Sequence, residues 1–160
     1  MSDNLTILML VNNEKQWIKD RFIEGNWKLL KRPFLHITIG PEVKGFWKAR
    51  KEGLKRVESE YVLNLDADTI LPEDYIEEAI HLLNVNPQVY AVALDYQFPF
   101  TQGHLAFGTS VWRTEALKRL YNFEPGSQCE CIYMWNKIQG HLMTIKGMEA
   151  IHIKEERKID

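Results

Sequence analysis

The chain has 160 residues, 45% of them hydrophobic and 26% charged, which is enough for one globular domain with its own core. A formal net charge of −2 gives no electrostatic basis for a nucleic-acid partner. No apolar run reaches the length of a membrane span, residues 1–4 do not open a secretory signal, and Cys129 and Cys131 stand too close for a useful staple, so a cytoplasmic protein with reduced thiols is expected.

Residues 5–11 are a continuous apolar run and predict a buried strand, ended by the turn and helix-start residues Asn12, Asn13 and Glu14. A helix is expected over 17–30, with Ile18, Phe22 and Leu29 inward, Ile23 and Leu30 beside them, and Pro33 as the stop. A second short strand covers 34–39 and ends at Gly40-Pro41. The next helix, 43–57, carries Phe46, Ala49, Gly53, Leu54 and Val57 on one face. Lys44, Lys48, Arg50, Lys51, Lys55 and Arg56 make its other side basic and solvated.

The third strand, 61–66, runs into Asp66-Ala67-Asp68. Residues i and i+2 of extended chain point the same way, so both carboxylates can face one point. Two like charges held together call for a cation, and carboxylate oxygens suit Mg2+ or Mn2+. The plainer alternative is that Asp66 caps a turn and Asp68 starts a helix. Pro72 suits the first turn of a third helix, with Ile76, Ala79, Ile80 and Leu83 inward, and 89–94 read as a fourth strand.

The second half is less regular: an aromatic loop over 96–104, a strand over 105–112, helices over 114–121 and 129–139, and strands over 141–146 and 148–153. Alternating strands and helices imply an α/β fold, a mostly parallel central sheet with helices on both faces. Ligands of such sheets sit at the C-terminal strand ends, where Asn12–Glu14, Gly40–Glu42 and Asp66–Asp68 all fall.

The sequence resembles the family 2 glycosyltransferases of the GT-A fold. The resemblance is carried by Gly45-x-x-x-Ala49-Arg50-x-x-Gly53-Leu54, by Glu60-Tyr61-Val-Leu-Asn-Leu-Asp66-Ala67-Asp68 and by Leu71-Pro72 before a helix. Asn13-Glu14, the segment 108–117 with Arg113, Glu130 ahead of Gly140, and His152 match more loosely. It implies a three-layer domain, with residues 1–95 as the nucleotide-sugar half and 96–160 as a small acceptor-side half. The implied activity is metal-dependent inverting transfer of a hexose from a nucleoside-diphosphate sugar to a glycan, lipid or protein acceptor hydroxyl. Mn2+ or Mg2+ would sit on Asp66, Asp68 and His152, with Glu130 as base. Asn13, Glu14, Glu42, Arg50 and Asp66 would serve the donor, with Lys44 or Lys48 near the diphosphate and Tyr96, Phe98, Phe100 and Trp112 offering faces to sugar rings.

Two departures stand out. Gly40-Pro41-Glu42 replaces the family's nucleobase-reading Asp, with Glu42 as the substitute. The family's Glu-Asp pair is Cys129-Glu130, about one residue close to Gly140. The short chain leaves room for a partner subunit or homo-oligomer. Two rivals stay open: a sugar-nucleotide binder without turnover, and a haloacid-dehalogenase-like phosphatase with Asp66 as nucleophile and Asp68 as general acid. The second lacks a later acidic cluster, since Asp95 is the one Asp between Asp74 and Asp160.

Overall fold

The side chains of the first and third strands alternate between two cores, which explains why both read as largely apolar runs, broken only by Thr6 and Asn64 ahead of Asp66. Leu5, Ile7 and Met9 of β1 (Leu5–Val11) point to one face with Tyr61, Leu63 and Leu65 of β3 (Tyr61–Asp66). Leu8, Leu10 and Val62 point to the other. Helices cover both faces, as parallel strands require. The structure, a computed structural model, describes residues 4–38, 45–95, 106–126 and 128–153.

The central sheet has six strands in the order β2-β1-β3-β6-β5-β7. β2 is Phe34–Thr38, β5 Ala91–Leu94, β6 Val111–Arg113 and β7 Leu142–Ile145. β1 pairs parallel with β2 and β3, and β5 pairs parallel with β7. β6 runs antiparallel between β3 and β5, so a strand of the second half closes a gap between two strands of the first. A separate ribbon joins β4 (Thr69–Ile70) antiparallel to β8 (Ile151–His152).

On the first face, α1 (Gln16–Asn26) buries Ile18 and Phe22, and α3 (Tyr75–Val85) buries Ile76, Ala79, Ile80 and Leu83. The other face carries α2 (Phe46–Leu54), α4 (Thr114–Leu120) and α5 (Glu130–Lys137), which contribute Ala49, Leu54, Leu117 and Met134. Arg113, part of the family-like segment, donates from Nε to Val89 O (2.7 Å) and from Nη2 to Asn86 O (3.0 Å) and Leu83 O. Its charge therefore closes the carbonyl end of α3, where the helix dipole favours a cation.

Several boundaries differ from expectation. α1 stops at Asn26, and Leu29–Lys31 form a separate 3₁₀ turn; Ile23, expected beside the inward residues, is exposed. Phe46 opens α2 from the solvent side and is exposed as well. α3 starts at Tyr75, and Pro72 precedes it by a turn. The strand expected over 105–112 is a 3₁₀ turn at Phe107–Thr109 followed by β6. β4 was not foreseen.

Candidate active site

From β1 the chain moves to β2 on one side, and its third strand is placed on the other side of β1. This reversal leaves a crevice outside the carboxyl ends of β1 and β3. Leu10 lies level with Asp66 across the pair, so the turn after β1 and the Asp66–Asp68 turn are neighbours. Asn13 is exposed there with φ 46°, a left-handed conformation that asparagine tolerates. Both carboxylate oxygens of Glu14 accept from the Asn12 N–H, at 3.1 and 3.0 Å. Glu14 thus shapes the turn that presents Asn13.

Asp68 meets His152. The Nε2–Oδ2 distance is 3.3 Å, and the Ile153 N–H donates to the Asp68 carbonyl at 2.9 Å. The β4–β8 ribbon makes this meeting, by pairing Thr69 with His152. Buried Asn26 pins β4 in turn: its Nδ2 donates to Thr69 O (2.9 Å) and its Oδ1 accepts from Leu71 N–H (3.1 Å). A side-chain amide here does the work of a neighbouring strand. His152 Nδ1 is buried with no hydrogen-bond partner among the described residues. The contact with Asp68 is therefore the polar tie that orients the ring.

Asp66 points over the 3₁₀ turn at Phe107–Thr109. A Cβ added to Gly108 would lie 2.0 Å from Asp66 Oδ2 and 2.2 Å from its Cγ. Gly108 is required by this close approach and not by its backbone conformation. Asp66 is exposed at the rim, yet the protein packed around it raises its carboxyl pKa; Arg50 and His152 pull it down while Asp68 and Glu130 push it up. Asp66, Asp68 and His152 thus feel one another. A carboxylate beside an imidazole is a donor set that suits Mn2+, and carboxylates also suit Mg2+, so these residues fit a divalent ion. Among the described residues no group of three or more His, Cys, Asp or Glu gathers closely enough to hold one by itself. Ligand oxygens or water would complete the shell.

Arg50 and Glu130 form a second cluster, on the α2–α5 side. Arg50 is 5% exposed, against the expectation of a solvated basic face. Its Nε lies 3.2 Å from both oxygens of Glu130, and its Nη2 lies 3.2 Å from Oε1. The Tyr121 hydroxyl donates to Glu130 Oε2. Tyr121 stacks on Trp47, with ring centroids 4.1 Å apart, and the Arg50 guanidinium lies 4.8 Å from the Phe107 ring centre. Burial works against the Arg50 charge, but Glu130 and, more weakly, Asp66 hold its pKa above the ordinary value. Burial lifts the Tyr121 phenol well above its ordinary range, and Glu130 adds to the effect, so the hydroxyl stays a donor.

The structure thus gathers Asp66, Asp68 and His152 at the rim, puts Asn13 and Glu14 on the neighbouring strand end, and ties Arg50 to Glu130. Trp112 is fully buried with its Nε1–H on Ser110 Oγ (2.7 Å), and it belongs to the core rather than to a sugar-facing surface. Glu42, Lys44, Tyr96, Phe98 and Phe100 lie outside the described residues. Sequence reasoning missed Tyr121, Asn26 and the role of Gly108. Gly108 carried a signal, as the first residue of the family-like segment; Tyr121 and Asn26 carried none.

Residues 15–137 match the family profile described as Glycosyl transferase family 2. No protein of curated function matches the chain. Among solved structures, the chain is similar to the mannosyltransferase PcManGT from Pyrobaculum calidifontis, in complex with GDP-Man and Mn2+, with 14% identity, TM-score 0.73, and coverage of 94% of this chain and 56% of that one. It is also similar to glucosyl-3-phosphoglycerate synthase from Mycobacterium tuberculosis, in complex with Mn2+ and UDP-glucose, with 14% identity, TM-score 0.64 and coverage of 92% and 70%. S. aureus TarS, in complex with UDP-GlcNAc, gives 12% identity, TM-score 0.63 and coverage of 94% and 60%. At these identities the likeness is one of fold, and the chain spans little more than half of the first of these proteins.

Proposed function

Because the chain belongs to glycosyl transferase family 2 and has the GT-A fold, we propose that it transfers a sugar from a nucleoside-diphosphate sugar to an acceptor hydroxyl. The observation that carries this reading is the approach of His152 to Asp68, beside Asp66, at the crevice between β1 and β3. Asp68 and His152 would hold Mn2+ or Mg2+, with Asp66 on the same ion or on the ribose. When bound, the ion supplies positive charge against the leaving diphosphate. Support comes from the complexes of similar fold described above, which contain Mn2+ with GDP-Man or UDP-glucose.

The chain's own residues have separable tasks. Asn13 and Glu14 shape the wall of the crevice next to Asp66. Gly108 leaves room for the Asp66 carboxylate in its present position. Glu130 takes the acceptor proton on a carboxylate oxygen, and Arg50 and Tyr121 fix that carboxylate in place. Attack on the anomeric carbon from the face opposite the diphosphate inverts it. We extend the donor role to Glu42 and the acceptor class to a glycan, lipid or protein.

A thermal-shift panel of UDP, GDP, CDP and dTDP, with and without Mn2+, tests the donor site. One nucleotide should stabilise the protein in the presence of Mn2+, and Asp68→Ala should abolish the shift. A nucleotide shift that is independent of Mn2+ and survives in Asp68→Ala would remove the metal assignment. A second reading, nucleotide-sugar binding without turnover, is favoured by the full engagement of Glu130 with Arg50 and Tyr121. It predicts nucleotide-sugar binding with neither transfer nor hydrolysis.

A further inference from the structure

The two thiols have no part in the proposed transfer, yet they flank Glu130 on either side. Cys129 is the residue before α5, and Cys131 lies in its first turn. Their sulfurs are 3.0 Å apart. Cys129 is exposed and Cys131 is partly buried. We propose that Cys129 and Cys131 are a redox modification site, a dithiol that a small-molecule disulfide such as oxidised glutathione converts reversibly into an intramolecular disulfide around Glu130.

The geometry is close to that of the product. A disulfide bond is about 2.05 Å long, so each sulfur moves by about half an ångström to form it. Accessibility sets the order of steps. The exposed Cys129 thiolate attacks one sulfur of the small disulfide and releases one thiolate, leaving a mixed disulfide on Cys129. Cys131 then loses its proton and attacks Cys129 Sγ, releasing the second small thiol. Two S–H bonds are lost and one S–S bond forms in the protein, while the small disulfide takes up two electrons and two protons as two thiols. Burial and the Cys129 neighbour push the Cys131 thiol up to about 11, which suits a resolving thiol rather than a first attacker. The closed ring contains the backbone of Glu130, the residue tied to Arg50 and Tyr121. The site itself does not depend on the transferase reading.

The experiment is intact mass spectrometry of the full chain in graded mixtures of reduced and oxidised glutathione. Wild type should lose two hydrogens as a monomer and regain them with reductant. Ring closure in the folded chain should be at least about tenfold faster than in the same chain in denaturant, because the fold holds the sulfurs in place. Cys131→Ser should stop at a stable glutathione adduct on Cys129, and Cys129→Ser should form no ring. Equal closure rates in folded and denatured chains would overturn the proposal, as would glutathione adducts or disulfide-linked dimers in place of the ring in wild type.

Discussion

The protein carries two charged clusters at the same end of its sheet, and they are built in opposite ways. Arg50, Glu130 and Tyr121 satisfy one another: the guanidinium meets both carboxylate oxygens, the phenol donates to one, and aromatic rings close the sides. Asp66, Asp68 and His152 stand at the exposed rim instead. Two carboxylates stand on one turn, Asp68 meets the His152 imidazole, and the buried nitrogen of that imidazole has no hydrogen-bond partner among the described residues. A cluster that completes itself resists unfolding and holds its members still. An exposed cluster with an unpartnered imidazole nitrogen is the one that the proposed function assigns to a ligand.

Disruption should therefore act on different quantities in the two places. Arg50→Ala strands Glu130 in a mostly buried site and should cost about 3–5 kcal/mol in denaturant unfolding. Replacing the pair together, Arg50→Met with Glu130→Leu, should recover most of that loss. If both versions cost the same, the cluster's energy lies in packing rather than in charge. Asp68→Ala should leave unfolding nearly unchanged and lower Mn2+-dependent transfer by about a hundredfold to a thousandfold. A thermal midpoint that falls as far as in Arg50→Ala would erase the distinction between the two clusters.

Gly108 joins the comparison at the rim, because its missing side chain is what lets Asp66 stay where it is. Gly108→Ala should cost about 1–3 kcal/mol of stability by crowding, since the carboxylate or the turn must move. Nucleotide affinity measured with Mn2+ should fall in the same variant. Gly108→Ala together with Asp66→Ala should restore the stability but not the affinity.

What could be read from the sequence depended on periodicity. β1 and β3 were legible because burial on both faces leaves Thr6 and Asn64 as the only polar residues before Asp66 in otherwise apolar runs. Asp66 and Asp68 followed from the strand end. Arg50 was legible in one sense: it sits next to Ala49 and three and four residues before Gly53 and Leu54, within the stripe that packs inward. Its charge argued for solvent, and nothing in helical spacing reveals that Glu130, eighty positions later, waits there to pair with it. The β4–β8 ribbon has two residues on each side and so carries no pattern. Its first strand is held by the Asn26 amide, a tertiary contact. The insertion of β6 between β3 and β5 is equally a property of the assembled sheet.

The finest division between the clusters is made by Tyr121→Phe. The ring and its stack on Trp47 remain, Arg50 still meets both oxygens of Glu130, and one donor is lost. A hydrogen bond to a charged group contributes about 1.5–3 kcal/mol, and the remaining contacts should keep the stability loss at the low end. If Glu130 serves only as a counter-ion for Arg50, transfer should follow stability and be unchanged at temperatures where the variant is folded. If Glu130 takes the acceptor proton, the carboxylate that Tyr121 no longer fixes should lower kcat several-fold with KM for the donor unchanged, because the donor site proposed above is the rim. A loss confined to donor KM would mean that the two clusters form a single site, with Asp66 and Arg50 coupled through their charges.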